Sequence, residues 1–220
     1  MPRVRVSQIR TEFEERVDAA RNVVGRIGDY SVLTDGRLRP LSPPERSYIA
    51  EMAFLRVLLA WEDFLEESFI RYMIGATPRR GRWPRPESRP KTLDRARTIM
   101  LGERRDYVDW YSPDAVNKRA ELHFSRPELY VNAINAVATH LNRMRIIRNR
   151  IAHRSQRAKK RYEGLLRTFY GAVIGGRGPG DVLLAPPANA ALPPGGGAGA
   201  ASLMELYSSI LKAAARQIVP

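Results

Sequence analysis

Two long segments with helical periodicity constrain the fold of this chain most strongly. The first follows Ser42-Pro43-Pro44-Glu45, which has the Ser-x-x-Glu spacing of a capping box, and extends to about Ile74. It is apolar almost all round between Phe54 and Ile70, so we expect it to be the central buried helix. The second begins at Pro127 and continues to about residue 153 or slightly beyond, with apolar residues at every third or fourth position.

The remaining segments show no strand-like alternation of any length. Helical spacing recurs over 9–27, around 92–101 and 113–124, and on to about residue 170. Residues 175–201 are dominated by Gly, Pro and Ala, which predicts a flexible or irregular strap, and Ser202 opens a last helix over 202–218. We therefore predict an all-α protein with a single domain over 1–220 and its core at about 42–172.

Composition narrows the class of partner. The net charge of +14 and the isoelectric point near 10.7 favour polyanions, with nucleic acid first. The chain has no cysteine, and its three histidines are too scattered for zinc-ligand spacing, so we expect no disulfide, metal or cofactor. Because there is neither an apolar signal core nor a run of 18 apolar residues, we expect a soluble cytoplasmic protein with no membrane contact.

One short motif carries candidate chemistry. Arg148-Asn149-Arg150-Ile151-Ala152-His153 lies in the second long helix. At about 100° per residue, Asn149 and His153 share a helix face, whereas Arg148 is roughly 140° from His153. A histidine that can transfer protons, a guanidinium that pairs with phosphate and a positioning amide together suit metal-free phosphodiester cleavage. The same spacing arises by chance in basic helices, and a lone histidine is more often simply solvated.

Each long helix has a charged residue inside its apolar stripe. Arg148 occupies the position between Met144 and Ile151, and Glu62 occupies the position between Leu58 and Leu65. A guanidinium without a partner is costly to bury, so we predict that Glu62 faces Arg148 and orients it. The alternative is that both are boundary residues whose charged ends reach water.

Further arginines are candidates for holding RNA phosphates. Around the motif these are Arg145, Arg150, Arg154 and Arg157, and the alternative is that they form a solvated helix face. In the Pro-rich loop 76–91, Trp83 is positioned to stack on a base between Arg82 and Arg85, and the alternative is a mobile, solvated connector.

The Arg-Asn-x3-His motif resembles the signature of the HEPN superfamily of helical ribonucleases. Residues 55–65 and 107–113 resemble the early and middle segments of its RiboL-PSP branch, so the likeness covers roughly residues 45–170. It implies a helical bundle with long antiparallel central helices. It also implies a metal-independent endoribonuclease of toxin or phage-defence type, in which 2′-hydroxyl attack leaves a 2′,3′-cyclic phosphate.

In that scheme His153 transfers the proton, Arg148 stabilises the phosphoryl charge, and Asn149 positions the phosphate or the histidine. The resemblance also implies a homodimer with a composite site, and an antitoxin or defence-complex partner. Ser155 stands where one branch carries a regulatory tyrosine, which puts that regulation in doubt. Two alternatives stay open: a catalytically idle HEPN-like module that binds RNA or a partner, and a basic helical DNA-binding or scaffold domain.

Overall fold

The computed structural model describes residues 5–78, 81–102, 108–173, 175–188 and 201–220. Within these ranges the protein is mostly helical, as predicted. No helix there combines the length and the apolar character needed to cross a membrane. The elements are α1 (Val6–Gly25), a single 3-10 turn (Ile27–Asp29), β1 (Ser31–Thr34), β2 (Arg37–Pro40), α2 (Pro43–Met73), α3 (Leu93–Leu101), α4 (Pro113–His123), α5 (Glu128–Ala152), α6 (Gln156–Tyr170), α7 (Pro179–Leu184) and α8 (Leu203–Ile218).

The helices predicted from apolar spacing are confirmed to within a few residues. The predicted N-terminus of α2 is confirmed in detail, because Glu45 accepts hydrogen bonds from both the backbone N–H and the hydroxyl of Ser42, each at 2.7 Å. Arg39 adds a two-pronged ion pair to the same carboxylate, with both N–O distances at 2.8 Å. These contacts lower the pKa of Glu45, first through Arg39 and then through Ser42.

The chain packs as two compact units. The first comprises 1–15, 59–142 and 210–220, and the second comprises 16–58 and 143–209. Helices α1, α2, α5 and α8 contribute residues to both units. The single domain predicted over 1–220 stays a prediction.

An aromatic cluster forms the core of the first unit. The ring of Phe69 packs against those of Phe124, Tyr130 and Trp110, with centroid distances of 4.6, 5.3 and 5.8 Å. The Tyr130 hydroxyl is fully buried and hydrogen-bonds the hydroxyl of Ser68 at 2.8 Å. Burial of apolar rings with their polar ends paired stabilises this unit around the second half of α2.

In the second unit, α6 packs beside the end of α5. The Arg143 guanidinium lies over the Phe169 ring, 5.3 Å from its centroid, which is a cation-π contact between the two helices. Phe54 of α2 meets Tyr207 of α8 at 6.3 Å. The first contact joins α5 to α6, and the second joins α2 to α8.

Part of the predicted strap is a packed helix. Residues 179–184 form α7, in which Val182 and Leu183 are buried. The Gly180 N–H donates to Glu51 Oε1 at 3.2 Å, and a Cβ at this glycine would lie 2.0 Å from the Ser47 carbonyl oxygen. The expectation of an irregular segment is thus wrong for α7, because tertiary contacts stabilise a helix too short to be recognised by periodicity. Residues 189–200 of the strap lie outside the described residues.

A small β-hairpin was not predicted. β1 and β2 pair antiparallel with Ser31 opposite Pro40 and Thr34 opposite Arg37. The turn residues Asp35 and Gly36 both have positive φ, 50° and 73°, which is the conformation that Asp-Gly favours in two-residue hairpins. The strands are too short for alternation to be visible, but the Asp-Gly pair was the available signal.

Candidate functional site

The Arg-Asn-x3-His motif lies where α5 ends. The last helical residue is Ala152, and His153 follows it, close to the predicted end. The His153 N–H still donates to the Asn149 carbonyl at 3.0 Å, so the histidine keeps its helical placement relative to Asn149. The backbone then becomes extended at Ser155, whose hydroxyl accepts from Ala158 N–H at 3.2 Å and caps α6.

This short connection creates a cleft of about 220 Å³ between the two helix ends. Asn149 and His153 line one side, and Arg157 and Arg161 of the first turns of α6 line the other. The N-terminus of α6 adds the partial positive charge of its backbone N–H groups. A cleft with two guanidiniums, an amide and an imidazole suits a phosphate group. Its complete lining is Ile146, Asn149, His153, Ser155, Arg157, Ala158 and Arg161.

Arg148 reaches this site through its neighbour. It is half-buried and is not among the residues that line the cleft, but its Nη1 donates to Asn149 Oδ1 at 3.2 Å. A guanidinium can only donate hydrogen bonds, so it fixes the oxygen of the amide on its own side. The Asn149 amino group, a donor, is then the part of the amide left for a ligand in the cleft.

The other predicted phosphate-holding arginines differ in position. Of the four around the motif, only Arg157 lines the cleft. Arg150 is half-buried and its Nη1 lies 3.5 Å from the His153 carbonyl oxygen, a contact at the end of α5. Arg154 is exposed in the connection between α5 and α6, and Arg145 is half-buried on α5.

Three predicted residues belong to the first unit. Arg82 and Arg85 are exposed in the loop before α3, and the Arg85 carbonyl accepts from Ser125 N–H at 2.8 Å. This part of the loop is therefore held by backbone pairing. Glu62 is half-buried on α2. Its predicted pairing with Arg148 stays a prediction.

Sequence reasoning missed Arg161 and Ser155 as members of the cleft. Arg161 lies one helical turn after Arg157, so the i, i+4 arginine pair at the start of α6 was the available signal. Ser155 followed by Ala158 three residues later had the spacing of a helix N-cap.

The other two histidines are buried. His140 is 6% exposed. His123 packs edge-on against the Phe69 ring at 5.9 Å, and burial, followed by the charge of Arg119, lowers its pKa. Among the described residues, no three His, Asp or Glu side chains are grouped as metal ligands would be.

Comparisons with models of known protein families, with curated proteins and with solved structures found no match. The HEPN resemblance therefore stays a prediction based on the motif and its flanking segments.

Proposed function

We propose that the protein is a metal-independent endoribonuclease whose active site is the cleft between α5 and α6. One observation carries the proposal: a single cleft contains Asn149 and His153 of the motif together with Arg157 and Arg161. It combines a proton-transfer group with phosphate-binding groups, and transesterification of RNA uses both kinds of group. The high positive charge of the chain supports an anionic polymer as substrate.

The proposed reaction is an internal displacement. The ribose 2′-oxygen forms a bond to the adjacent phosphorus, and the bond from phosphorus to the 5′-oxygen breaks. The products are a 2′,3′-cyclic phosphate and a 5′-hydroxyl. One proton leaves the 2′-hydroxyl and one is added to the 5′-oxygen, so the reaction needs a general base and a general acid.

His153 supplies one of these proton transfers. Arg157 and Arg161 bind the phosphate, and the Asn149 amino group donates to a phosphoryl oxygen, oriented by Arg148. We propose that the second proton-transfer group is His153 of a second chain in a homodimer. A composite site of this kind agrees with the exposed position of His153, because a partner can reach it.

A second candidate function rests on Arg148. Because its guanidinium contacts the Asn149 amide and Arg148 does not line the cleft, the site lacks the phosphate contact that the resemblance assigns to this residue. This observation favours a catalytically idle module in which the cleft binds RNA phosphate without cleaving it. The two candidates share an RNA ligand and differ only in turnover.

The deciding experiment uses purified protein, end-labelled single-stranded RNA and excess EDTA. We expect cleavage products that carry a 2′,3′-cyclic phosphate, identified by mass spectrometry, and no cleavage at a position with a single 2′-deoxyribose. His153→Ala should reduce the cleavage rate by about 10²–10⁴-fold with little loss of RNA affinity. Arg167→Ala, an exposed arginine on α6 that does not line the cleft, is the matched control and should behave as wild type.

RNA binding without cleavage under all conditions would favour the idle module. Cleavage that stops in EDTA would contradict the proposed chemistry, and equal loss of binding and cleavage in His153→Ala would indicate a structural histidine.

A further inference from the structure

A second concave surface in the second unit has no role in the proposed reaction. It is a groove of about 440 Å³ lined by residues of α1 and of the first part of α2. Its walls are mostly apolar, and Val23 and Tyr48 on them are 38% and 62% exposed. Single exposed apolar residues are ordinary, but a concave set of them is typical of a binding surface.

The groove has the periodicity of a helix-packing site. On α1 the lining positions follow i, i+3, i+4 and i+7 from Arg16 to Val23, and on α2 they follow the same spacing from Ile49 to Arg56. Each wall is therefore two helical turns long, about 10 Å at 1.5 Å per residue. Small residues such as Ala19 and Ala53 allow a third helix to approach closely.

The charges of the lining indicate the chemistry of that helix. Arg16 and Arg56 are exposed at the groove, and none of its lining residues is acidic. A helix with an apolar stripe flanked by carboxylates matches both the apolar walls of the groove and its arginines.

We propose that this groove binds an acidic amphipathic helix of a partner protein. The apolar stripe of the partner fills the space between α1 and α2, and its carboxylates pair with Arg16 and Arg56. The site is separate in sequence from the cleft residues 146–161, so the proposal does not depend on catalysis.

The test uses two side-chain-stapled helical peptides with leucines at i, i+3, i+4 and i+7. One carries glutamates beside the stripe, and its twin carries lysines at the same positions. By fluorescence anisotropy we expect the glutamate peptide to bind at least about tenfold more tightly than the lysine twin. Arg56→Glu should weaken binding of the glutamate peptide by about the same factor, whereas Arg167→Glu on α6 should leave the affinity for that peptide unchanged.

Ala19→Trp provides a steric test, because Ala19 is exposed and lines the groove, so a large side chain there obstructs the groove without burdening the core. Circular dichroism melting checks that the variant is folded. It should abolish peptide binding and leave RNA binding and cleavage as in wild type.

Equal affinity for both peptides, or unchanged binding to Ala19→Trp, would overturn the proposal. So would a preference for a fluorescent long-chain fatty acid, which would make the groove a lipid site. A concentration-dependent dimer that Ala19→Trp dissociates would identify a second copy as the occupant and would also overturn it.

Discussion

Arg148 donates a hydrogen bond from Nη1 to the side-chain oxygen of Asn149, its neighbour in sequence, over 3.2 Å. Adjacent helical positions point about 100° apart, so their side chains do not ordinarily meet. Here the long arginine side chain reaches across that angle. The contact makes Arg148 a positioning residue for the amide that lines the cleft beside His153.

Asn149→Asp should reduce the activity without changing the stability of the fold. The carboxylate keeps and strengthens the contact with Arg148, but it places a negative charge where the phosphate binds. We expect a loss of about 10²–10³-fold in kcat/KM, as for the loss of a donor to a developing oxyanion, with Tm unchanged. Asn132→Asp, an exposed asparagine earlier on α5, is the matched control. Activity that survives in Asn149→Asp would remove this residue from the site.

Mixing inactive chains with wild-type chains tests the proposed homodimer. An excess of His153→Ala chains should suppress the activity of wild-type chains, because the proposed site needs His153 of both chains. Single-turnover RNA cleavage at micromolar protein measures the suppression, and Arg167→Ala chains, which should not suppress it, are the control. Undiminished activity, with light scattering that shows a monomer, would mean that each site is formed within one chain.

The predicted pairing of Glu62 with Arg148 is tested by a double-mutant cycle. If the two charges neutralise each other, each single variant, Glu62→Gln or Arg148→Met, should lose more stability than the double variant. The reason is that each single variant leaves one half-buried charge without its partner charge. We expect a coupling energy of about 1 kcal/mol from urea unfolding. Additive losses would show that the two residues are independent.

Two glycine substitutions should change stability in opposite directions. Gly180→Ala places a Cβ 2.0 Å from the Ser47 carbonyl oxygen, so α7 has to move away from α2 at a cost of about 1–3 kcal/mol. Gly164→Ala on α6 meets no atom within 4 Å and should stabilise by about 0.5–1 kcal/mol. Differential scanning calorimetry measures both. A neutral Gly180→Ala would mean that α7 is not docked in solution.

The pH dependence of stability should contain a contribution from Glu51. Burial raises its pKa, and nearby Asp181 adds to this, against the opposing effects of the Gly180 N–H and Arg150. A carboxyl group whose pKa is higher in the folded state than in the unfolded state stabilises the fold most when it is protonated, below the ordinary glutamate pKa. This stabilisation is lost as the pH rises through the raised pKa. Glu51→Gln should therefore be more stable than wild type at pH 7.

The comparison for Glu51→Gln is Glu121→Gln, which removes an exposed carboxylate of α4. In melting experiments between pH 4 and pH 8, the Tm values of Glu51→Gln and wild type should be similar at the lowest pH and should differ more as the pH rises. Parallel curves over the whole range would contradict the raised pKa.

Apolar periodicity was sufficient to predict the long helices. α2 and α5 repeat their apolar residues over many turns, so the period is visible above local irregularities. The same signal failed for α7, which has 6 residues, and for the strands, which have 4 residues each. At these lengths stability comes from contacts such as Gly180 with Ser47, and no periodic pattern records them.

The local sequence determined which groups the end of α5 presents, because helical spacing alone relates Asn149 to His153. Only the tertiary structure decided which residues share the cleft. The chain leaves α5 after Ala152 and Ser155 caps α6, so Arg161 joins Asn149 and His153, while Arg148 contacts the amide instead. The reason is that a change of chain direction at one residue sets the partners of every side chain near it, and such partners are not encoded by spacing along one helix.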